Sequence, residues 1–138
     1  MKYLLKYLLD TNACIKYLNF PDSSIRRKIE ITPNNEIAVC SIVKAELFYG
    51  SKKSKNPTLN LAKQMIFLNQ FHSLPFDDNA ALIFGEIRAE LAAQGKPIGP
   101  YDLQIAAIAL ANDLILITHN TSEFSRISRL QIEDWETP

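Results

Sequence analysis

The sequence has few of the residues that build disulfide frameworks or zinc sites. Its only cysteines, Cys14 and Cys40, both lie in apolar segments, and its only histidines, His72 and His119, lack the spacing of zinc ligands. Cysteines in apolar segments favour buried, reduced thiols, although the sequence leaves a disulfide between them open. We therefore expect no structural zinc site, and the reduced thiols favour a cytoplasmic protein.

Net charge and long hydrophobic runs are also missing. The 15 Lys and Arg residues balance the 15 Asp and Glu residues, so a polyanionic partner would have to bind a local basic patch. The apolar segment 105–117 is broken by Asn112 and Asp113, and the apolar N-terminal stretch is interrupted by Lys6 and closed by Asp10. Neither stretch has the length of a membrane span or of a signal peptide. We therefore expect no contact with a membrane.

The sequence does contain enough apolar residues for one core, arranged as alternating strands and helices. Its 138 residues, 47% of them apolar, fit a single domain spanning 1–138. Short apolar runs predict strands at 7–9, 37–40, 73–76, 114–117 and 130–132, the third at an edge of the sheet. Helical periodicity predicts helices that begin near residues 11, 24, 41, 57, 78, 101 and 122, the third with Ser41 as its N-cap and an end near Gly50. This alternation predicts an α/β fold whose parallel sheet is covered by helices on both faces.

Asp10 directly follows the first predicted strand. Because open α/β sheets bind ligands at the carboxyl ends of their strands, this acid lies where a ligand site is expected. The structural alternative is that Asp10 caps the helix that begins at Thr11 or Asn12. If Asp10 holds a metal ion, other oxygen ligands have to converge on the same edge of the sheet.

Two further acids occupy positions that are expected to face the core. Asp102 heads the apolar stripe of the helix from Tyr101, and no Lys or Arg occurs between Pro97 and Ser125 to neutralise it. Glu46 lies one turn into the helix that follows the second strand, among apolar neighbours. The alternatives are that the helix dipole favours Asp102 in a first turn and that Glu46 is a solvated helical acid.

A polar segment follows the fourth predicted strand at the same edge of the sheet. Thr118, His119 and Asn120 come first, and Glu123 follows one helical turn later. Asn120 is neutral, but its side-chain oxygen can ligate a hard cation; the alternative is an Asx turn. An oxygen-only donor set is the chemistry that Mg²⁺ and Mn²⁺ prefer. Such ions activate water and stabilise the oxygens of a phosphoryl displacement.

Four segments in this order resemble the motifs of the PIN-domain nucleases, and most closely those of the VapC-type toxins of bacterial toxin–antitoxin pairs. They are 8–12 (LLDTN), 41–47 (SIVKAEL), 99–106 (GPYDLQIA) and 118–124 (THNTSEF), and the closing 130–135 (LQIEDW) also resembles the end of that family. The resemblance covers the whole chain. It implies a PIN-like three-layer α/β/α sandwich with a central, mostly parallel sheet.

The resemblance also implies a metal-dependent endoribonuclease. The first three acids of the family's motifs match Asp10, Glu46 and Asp102, which would hold Mg²⁺ or Mn²⁺ directly or through water. The family's Thr after the late strand matches Thr118, and its last polar or acidic position matches Asn120. Many PIN domains have Asp at that last position, so the neutral Asn is a departure from the pattern.

The departure at Asn120 leaves two questions open. Either Glu123 supplies the missing charge, or the site works with three carboxylates. In both cases Asn12 and Thr118 are expected to orient water or ligand oxygens. Asn120 also favours an alternative function, a PIN-like module that binds RNA or a protein without cleaving. The three retained acids count against this alternative, because unpaired carboxylates repel RNA unless a cation bridges them.

The expected substrate is RNA, with tRNA among the candidates. The candidates for contacting the RNA backbone are the basic side chains of Arg26, Arg27, Lys52 and Lys53. The candidates for stacking on a base are the aromatic side chains of Tyr49 and Tyr101. The alternative is that the basic runs are solvated helix faces and that Lys52 and Lys53 suit a helix C-terminus. The resemblance further implies a homodimer and a cognate antitoxin protein that blocks the acidic pocket, often with a basic side chain.

Overall fold

The computed structural model describes residues 4–137 and shows a five-stranded sheet flanked by helices. The strands are β1 (Tyr7–Leu9), β2 (Ile37–Cys40), β3 (His72–Leu74), β4 (Ile115–Ile117) and β5 (Ile132–Glu133). The helices are α1 (Thr11–Asn19), α2 (Ser24–Ile31), α3 (Ser41–Lys52), α4 (Pro57–Leu68), α5 (Asp78–Ala93), α6 (Pro100–Ala111) and α7 (Thr121–Phe124). The predicted α/β class is confirmed, and the sheet is parallel throughout.

The strand order β3-β2-β1-β4-β5 places β1 at the centre of the sheet. The chain builds β2 and β3 on one side of β1 and then crosses over to build β4 and β5 on the other side. The order therefore reverses between β1 and β4, and a crevice forms at the carboxyl ends of strands at such a reversal. Asp10 and Thr118 follow these two strands directly.

The core explains why the central strands consist of unbroken apolar runs. Leu8 and Leu9 of β1 and all four residues of β2 are buried, as expected for strands covered on both faces. At the edge, β3 exposes His72 and Ser73 and buries only Leu74, and Pro75 follows it. The predicted edge strand is therefore confirmed in its place in the sheet, but it spans His72–Leu74 rather than 73–76. Helix α6 is the most buried helix of the described chain, with six buried residues from Leu103 to Ala109.

Three local predictions were wrong. Cys40 rather than Ser41 occupies the N-cap of α3, and the Ser41 hydroxyl instead donates to the carbonyl of Leu74 at 3.4 Å. Helix α3 also continues past Gly50 to Lys52. The last strand is Ile132–Glu133 rather than 130–132, because the amide of Leu130 closes a turn by donating to Ile127.

The two thiols are free and buried, so the disulfide that the sequence left open does not form. Burial raises the pKa of Cys14 well above its usual range and that of Cys40 to about 11. Both thiols are therefore protonated at neutral pH and unreactive as nucleophiles. Within residues 4–137, none of the helices combines the length and apolar character that crossing a membrane requires.

Candidate active site

Asp10 lies at the carboxyl end of the central strand and is only 4% exposed. Its amide donates to the carbonyl of Ile117 at 3.1 Å, which fixes it beside the end of β4. Its Oδ1 accepts the amide of Ala13 at 2.8 Å and so caps α1. The interpretation of Asp10 as a helix cap is therefore confirmed, and the same side chain places a carboxylate in the crevice.

The surroundings of Asp10 oppose its ionisation. Its pKa is raised to about 6, chiefly because burial removes the carboxylate from water. Hydrogen bonds from the Thr118 hydroxyl and from the Ala13 amide lower this pKa, whereas the charges of Glu136 and Glu46 raise it. Thr118 is itself 1% exposed. The buried carboxylate therefore has hydrogen-bond donors but faces other acids.

Asp102 lies in the first turn of α6 and is half-buried. Its pKa is raised to about 7, first by burial, then by a hydrogen bond and charge repulsion from Glu123, and then by the charges of Glu46 and Asp10. The structure therefore brings Asp10, Glu46, Asp102 and Glu123, from four different helices or their caps, to one place. We call these four residues the acid cluster.

Glu46 projects from α3 toward the start of α1. The hydroxyl of Thr11 donates to Glu46 Oε1 at 2.5 Å, across 35 residues of sequence. Glu46 is partly buried, so the interpretation of a freely solvated helical acid was wrong. Thr11 was expected only to begin α1, and its role in holding Glu46 was missed because nothing local in the sequence links the two residues.

Asn120 lies beside the acid cluster. Its amide donates to Thr118 Oγ1 at 3.0 Å, which supports the predicted turn after β4. Its side chain and that of Asn12 line a cavity of about 420 Å³ together with Lys16 and Glu136. Two residues of the polar segment after β4 therefore have different surroundings. Glu123 contacts Asp102, whereas Asn120 lines this neighbouring cavity.

Glu136 was missed by the sequence analysis. It lies after the last strand, raises the pKa of Asp10 by its charge, and pairs with Lys16 at 3.7 Å between Nζ and Oε1. The recognisable closing segment ends at Trp135, one residue earlier, so no motif identifies Glu136. Only the course of the chain after β5 brings this acid back to the edge of the sheet.

The acid cluster suits a hydrated cation better than a closed metal cage. None of its four acids forms an ion pair with any residue in the range 4–137. In the same range, no three His, Cys, Asp or Glu side chains are close enough to ligate one ion directly. Mg²⁺ usually keeps several waters and takes one or two carboxylates. A divalent cation bound partly through water would therefore relieve the repulsion within the cluster.

The predicted RNA-contacting residues differ in how exposed their side chains are and in how many local interactions they already make. Arg26 is engaged locally, because it pairs with Glu30 at 3.4 Å, donates to a backbone carbonyl and lies 4.5 Å from the ring centroid of Tyr17. Arg27 is exposed but also donates to a backbone carbonyl, that of Asp22, at 2.7 Å. Lys52 is exposed, and Lys53 is exposed with its Nζ 4.7 Å from the ring centroid of Tyr49. Tyr49 and Tyr101 are both mostly exposed, and Tyr101 precedes Asp102 in α6.

Comparison with known proteins gives a consistent result. A family model described as PIN domain matches residues 7–130. A protein of Shigella flexneri named tRNA(fMet)-specific endonuclease VapC is 41% identical over 132 residues, which are 96% of this chain and 99% of that protein. Ribonuclease VapC2 of Rickettsia felis is 42% identical over 131 residues, covering 94% and 98%. The crystal structure of DNA-bound VapBC from Salmonella typhimurium matches 95% of this chain and 98% of its own with a TM-score of 0.90 at 41% identity.

Proposed function

The chain belongs to the PIN-domain family, and we propose from this premise that it is the toxin of a toxin–antitoxin pair, an endoribonuclease that hydrolyses RNA phosphodiesters with water. The observation that carries the proposal is the acid cluster at the reversal point of the sheet, where the pKa values of Asp10 and Asp102 are both raised. Carboxylates with perturbed pKa values in a crevice are typical of functional sites.

Asp10, Asp102 and Glu46 are the residues that would hold Mg²⁺ or Mn²⁺, directly or through water. When bound, the cation lowers the pKa of a coordinated water and stabilises the charge that develops on the phosphoryl oxygens. The Ala13 amide and the Thr118 hydroxyl hold the Asp10 carboxylate in place, and Thr11 holds that of Glu46. Hydrogen bonds of this kind orient ligand side chains before a metal ion binds.

We further propose that Glu123, rather than Asn120, completes the acidic site. Replacing Glu123 by Gln removes the charge that contacts Asp102, and we expect the cation concentration needed for half-maximal cleavage to rise by about 10- to 100-fold. Asn120→Ala is expected to raise it less. The measurement is the cleavage rate as a function of Mn²⁺ concentration, with the exposed Glu86→Gln as the matched control. A larger loss in Asn120→Ala than in Glu123→Gln would assign the position to Asn120.

Metal dependence is tested with the purified protein and total cellular RNA. We expect cleavage with Mg²⁺ or Mn²⁺ and none with EDTA, because among residues 4–137 no basic side chain pairs with the acid cluster to activate water or offset phosphate charge. Cleavage that persists in EDTA would contradict the proposed mechanism. Bound RNA without cleavage under every metal condition would instead support the alternative of a binding module.

The substrate that we propose is a tRNA. The relatives from Shigella flexneri and Salmonella typhimurium are both named tRNA(fMet)-specific endonuclease VapC and are each 41% identical to this chain. Initiator tRNA is therefore the first RNA to incubate with the protein, with elongator tRNAs as controls. Mapping the ends of the products gives the cleavage position directly.

The partners that we propose are a cognate antitoxin and a second copy of this chain. The antitoxin is supported by the solved VapBC complexes that match this chain. Association with other chains is supported by α4, whose apolar side chains Leu59, Leu61, Met65 and Ile66 are 40–74% exposed. Sedimentation of the protein alone and with its antitoxin tests both partners. We place its action in the cytoplasm, where its RNA substrate lies.

A further inference from the structure

A cavity of about 330 Å³ opens beside the acid cluster, between α1, α3 and α4. Glu46 lies in its wall, so the cavity begins at a residue of the cluster. Its volume falls within the about 300–1,000 Å³ that is typical of small-ligand sites. We propose that this cavity, which we call the nucleotide cavity, receives one unpaired nucleotide of the RNA next to the phosphodiester that is cut. The inference rests on the proposed function and names a subsite of the same active site.

The walls of the nucleotide cavity combine an apolar surface with free polar groups. Ile15 and Leu18 supply aliphatic surface against which the flat face of a base can pack. Asn60 uses its Nδ2 to donate to Ser54 at 2.8 Å, which leaves its Oδ1 available as an acceptor. The amide of Asn19 and the ammonium of Lys63 make no hydrogen bond or ion pair within the described residues. These groups match the donors and acceptors on the edge of a base.

A partly buried hydrogen-bond network holds two walls of the nucleotide cavity together. The hydroxyl of Ser51, only 4% exposed, donates to Gln64 Oε1 at 2.8 Å. Gln64 Nε2 in turn donates to the carbonyl of Leu47 at 3.0 Å. These bonds tie α3 to α4 before any ligand binds. A wall that is already ordered lowers the entropy cost of binding.

The charged side chains around the nucleotide cavity indicate how a bound nucleotide would be oriented. Glu46 belongs to the acid cluster at one side of the cavity, where a cation would offset its charge. Lys63 lies in the wall and forms no ion pair with any residue from 4 to 137. A nucleotide seated between them would direct its phosphate to Lys63 and its base against the apolar wall. A base can enter such a cavity only after leaving the helical stack, so the proposal applies to loops and single strands.

Gly50 gives a direct way to block the nucleotide cavity. This residue lies in its wall within α3, and a Cβ built at this position meets no atom within 4 Å. Gly50→Leu would therefore extend a side chain into open space, and Leu is also a better helix former than Gly. The matched control is Gly85→Leu in α5, because a Cβ at Gly85 likewise meets nothing within 4 Å and Gly85 lies outside the cavity.

The experiment measures cleavage of an unstructured RNA pool with random bases around one cut site, in Mg²⁺, with sequencing of the product ends. We expect the wild type and Gly85→Leu to prefer particular bases at one position beside the cut. Gly50→Leu should lower kcat/KM by about tenfold or more and lose that preference, because a difference of even one methylene group in an apolar pocket is worth about 10- to 200-fold. Circular dichroism and thermal unfolding establish that both variants fold.

A second variant keeps the test decisive if Gly50→Leu does not fold. Lys63→Gln should weaken RNA binding and reduce the slope of log affinity against log salt by about 0.7, the loss of one phosphate contact on a single strand. Lys96→Gln, an exposed lysine outside the cavity, should leave the slope unchanged.

Three results would overturn the inference. Cleavage by Gly50→Leu with the wild-type kcat/KM and base preference would show that no base enters the cavity, while the proposed function would stand. Normal cleavage combined with lost inhibition by the cognate antitoxin would assign the cavity to the protein partner. No cleavage of any RNA by the wild type would overturn the proposed function and, with it, the inference.

Discussion

Replacing Asp10 by Asn is expected to lower the rate of RNA cleavage by about a thousandfold or more and to preserve the fold. Asn has the same shape as Asp and also caps helices well, so the bond to the Ala13 amide that begins α1 can persist. What is lost is the negative charge that would hold the cation. If that cation contributes about 4 kcal/mol to stabilising the transition state, its loss corresponds to about a thousandfold in rate.

Asp77 provides a matched control for this experiment. It caps α5 as Asp10 caps α1, with its Oδ1 accepting the amide of Ala80 at 2.9 Å, but it is exposed and lies outside the acid cluster. Asp77→Asn should therefore cleave RNA at the wild-type rate. Single-turnover cleavage of one labelled RNA in Mg²⁺ compares the three proteins. An Asp10→Asn protein that cleaves as fast as Asp77→Asn would show that the acid cluster is not the active site.

The same Asp10→Asn substitution is expected to stabilise the metal-free protein at pH 8 by about 3 kcal/mol. Folding raises the pKa of Asp10 from 3.8 to about 6, so the fold favours the protonated acid. The contribution of Asp10 to stability is fully present below pH 3.8 and is lost as the pH rises through about 6. A shift of about two pKa units corresponds to about 3 kcal/mol. The raised pKa of Asp102, about 7, acts in the same direction.

Urea unfolding in EDTA between pH 4 and pH 8 measures this effect. The free energy of unfolding of the wild type should decline relative to Asp10→Asn as the pH rises, and the difference should be small at pH 4. Added Mg²⁺ should restore stability to the wild type at pH 8 but not to the variant, since only the wild type retains the full set of ligands. Parallel curves for the two proteins, with or without Mg²⁺, would contradict the electrostatic account of the site.

The features that could be predicted from the sequence are those that one segment determines. A buried parallel strand requires an unbroken apolar run, so Tyr7–Leu9 and Ile37–Cys40 could be identified without the structure. Once these strands are taken as parallel, their carboxyl ends meet at one edge, which places Asp10 and Glu46 near each other. The charge interaction of Asp102 with both of them then follows from the position of α6.

The features that could not be predicted depend on contacts between distant segments. Thr11 lies next to Asp10 in sequence, but its bond to Glu46 depends on how α1 packs against α3. Sequence spacing alone could not show whether Asn120 or Glu123 contacts Asp102, because both residues follow β4. Only the direction of the turn at Thr118 decides which side chain makes this contact. Ser41 was assigned as an N-cap on residue type, and its hydroxyl instead contacts the neighbouring strand end.

The structural role of Asp10 does not exclude the functional role that we propose for it. Its Oδ1 is used by the helix cap, which fixes the position of the carboxyl group in a buried crevice. An acid fixed there pays a desolvation cost in the metal-free protein, visible as its raised pKa. We expect cation binding to offset that cost.

The most direct test of the account is a crystal structure of the protein with Mn²⁺, recorded with anomalous scattering at the manganese edge. The account predicts an anomalous peak among the carboxylates of Asp10, Asp102 and Glu46 in the wild type, and its loss in crystals of Asp10→Asn. A protein that requires Mn²⁺ to cleave RNA but shows its manganese peak away from these carboxylates would contradict it.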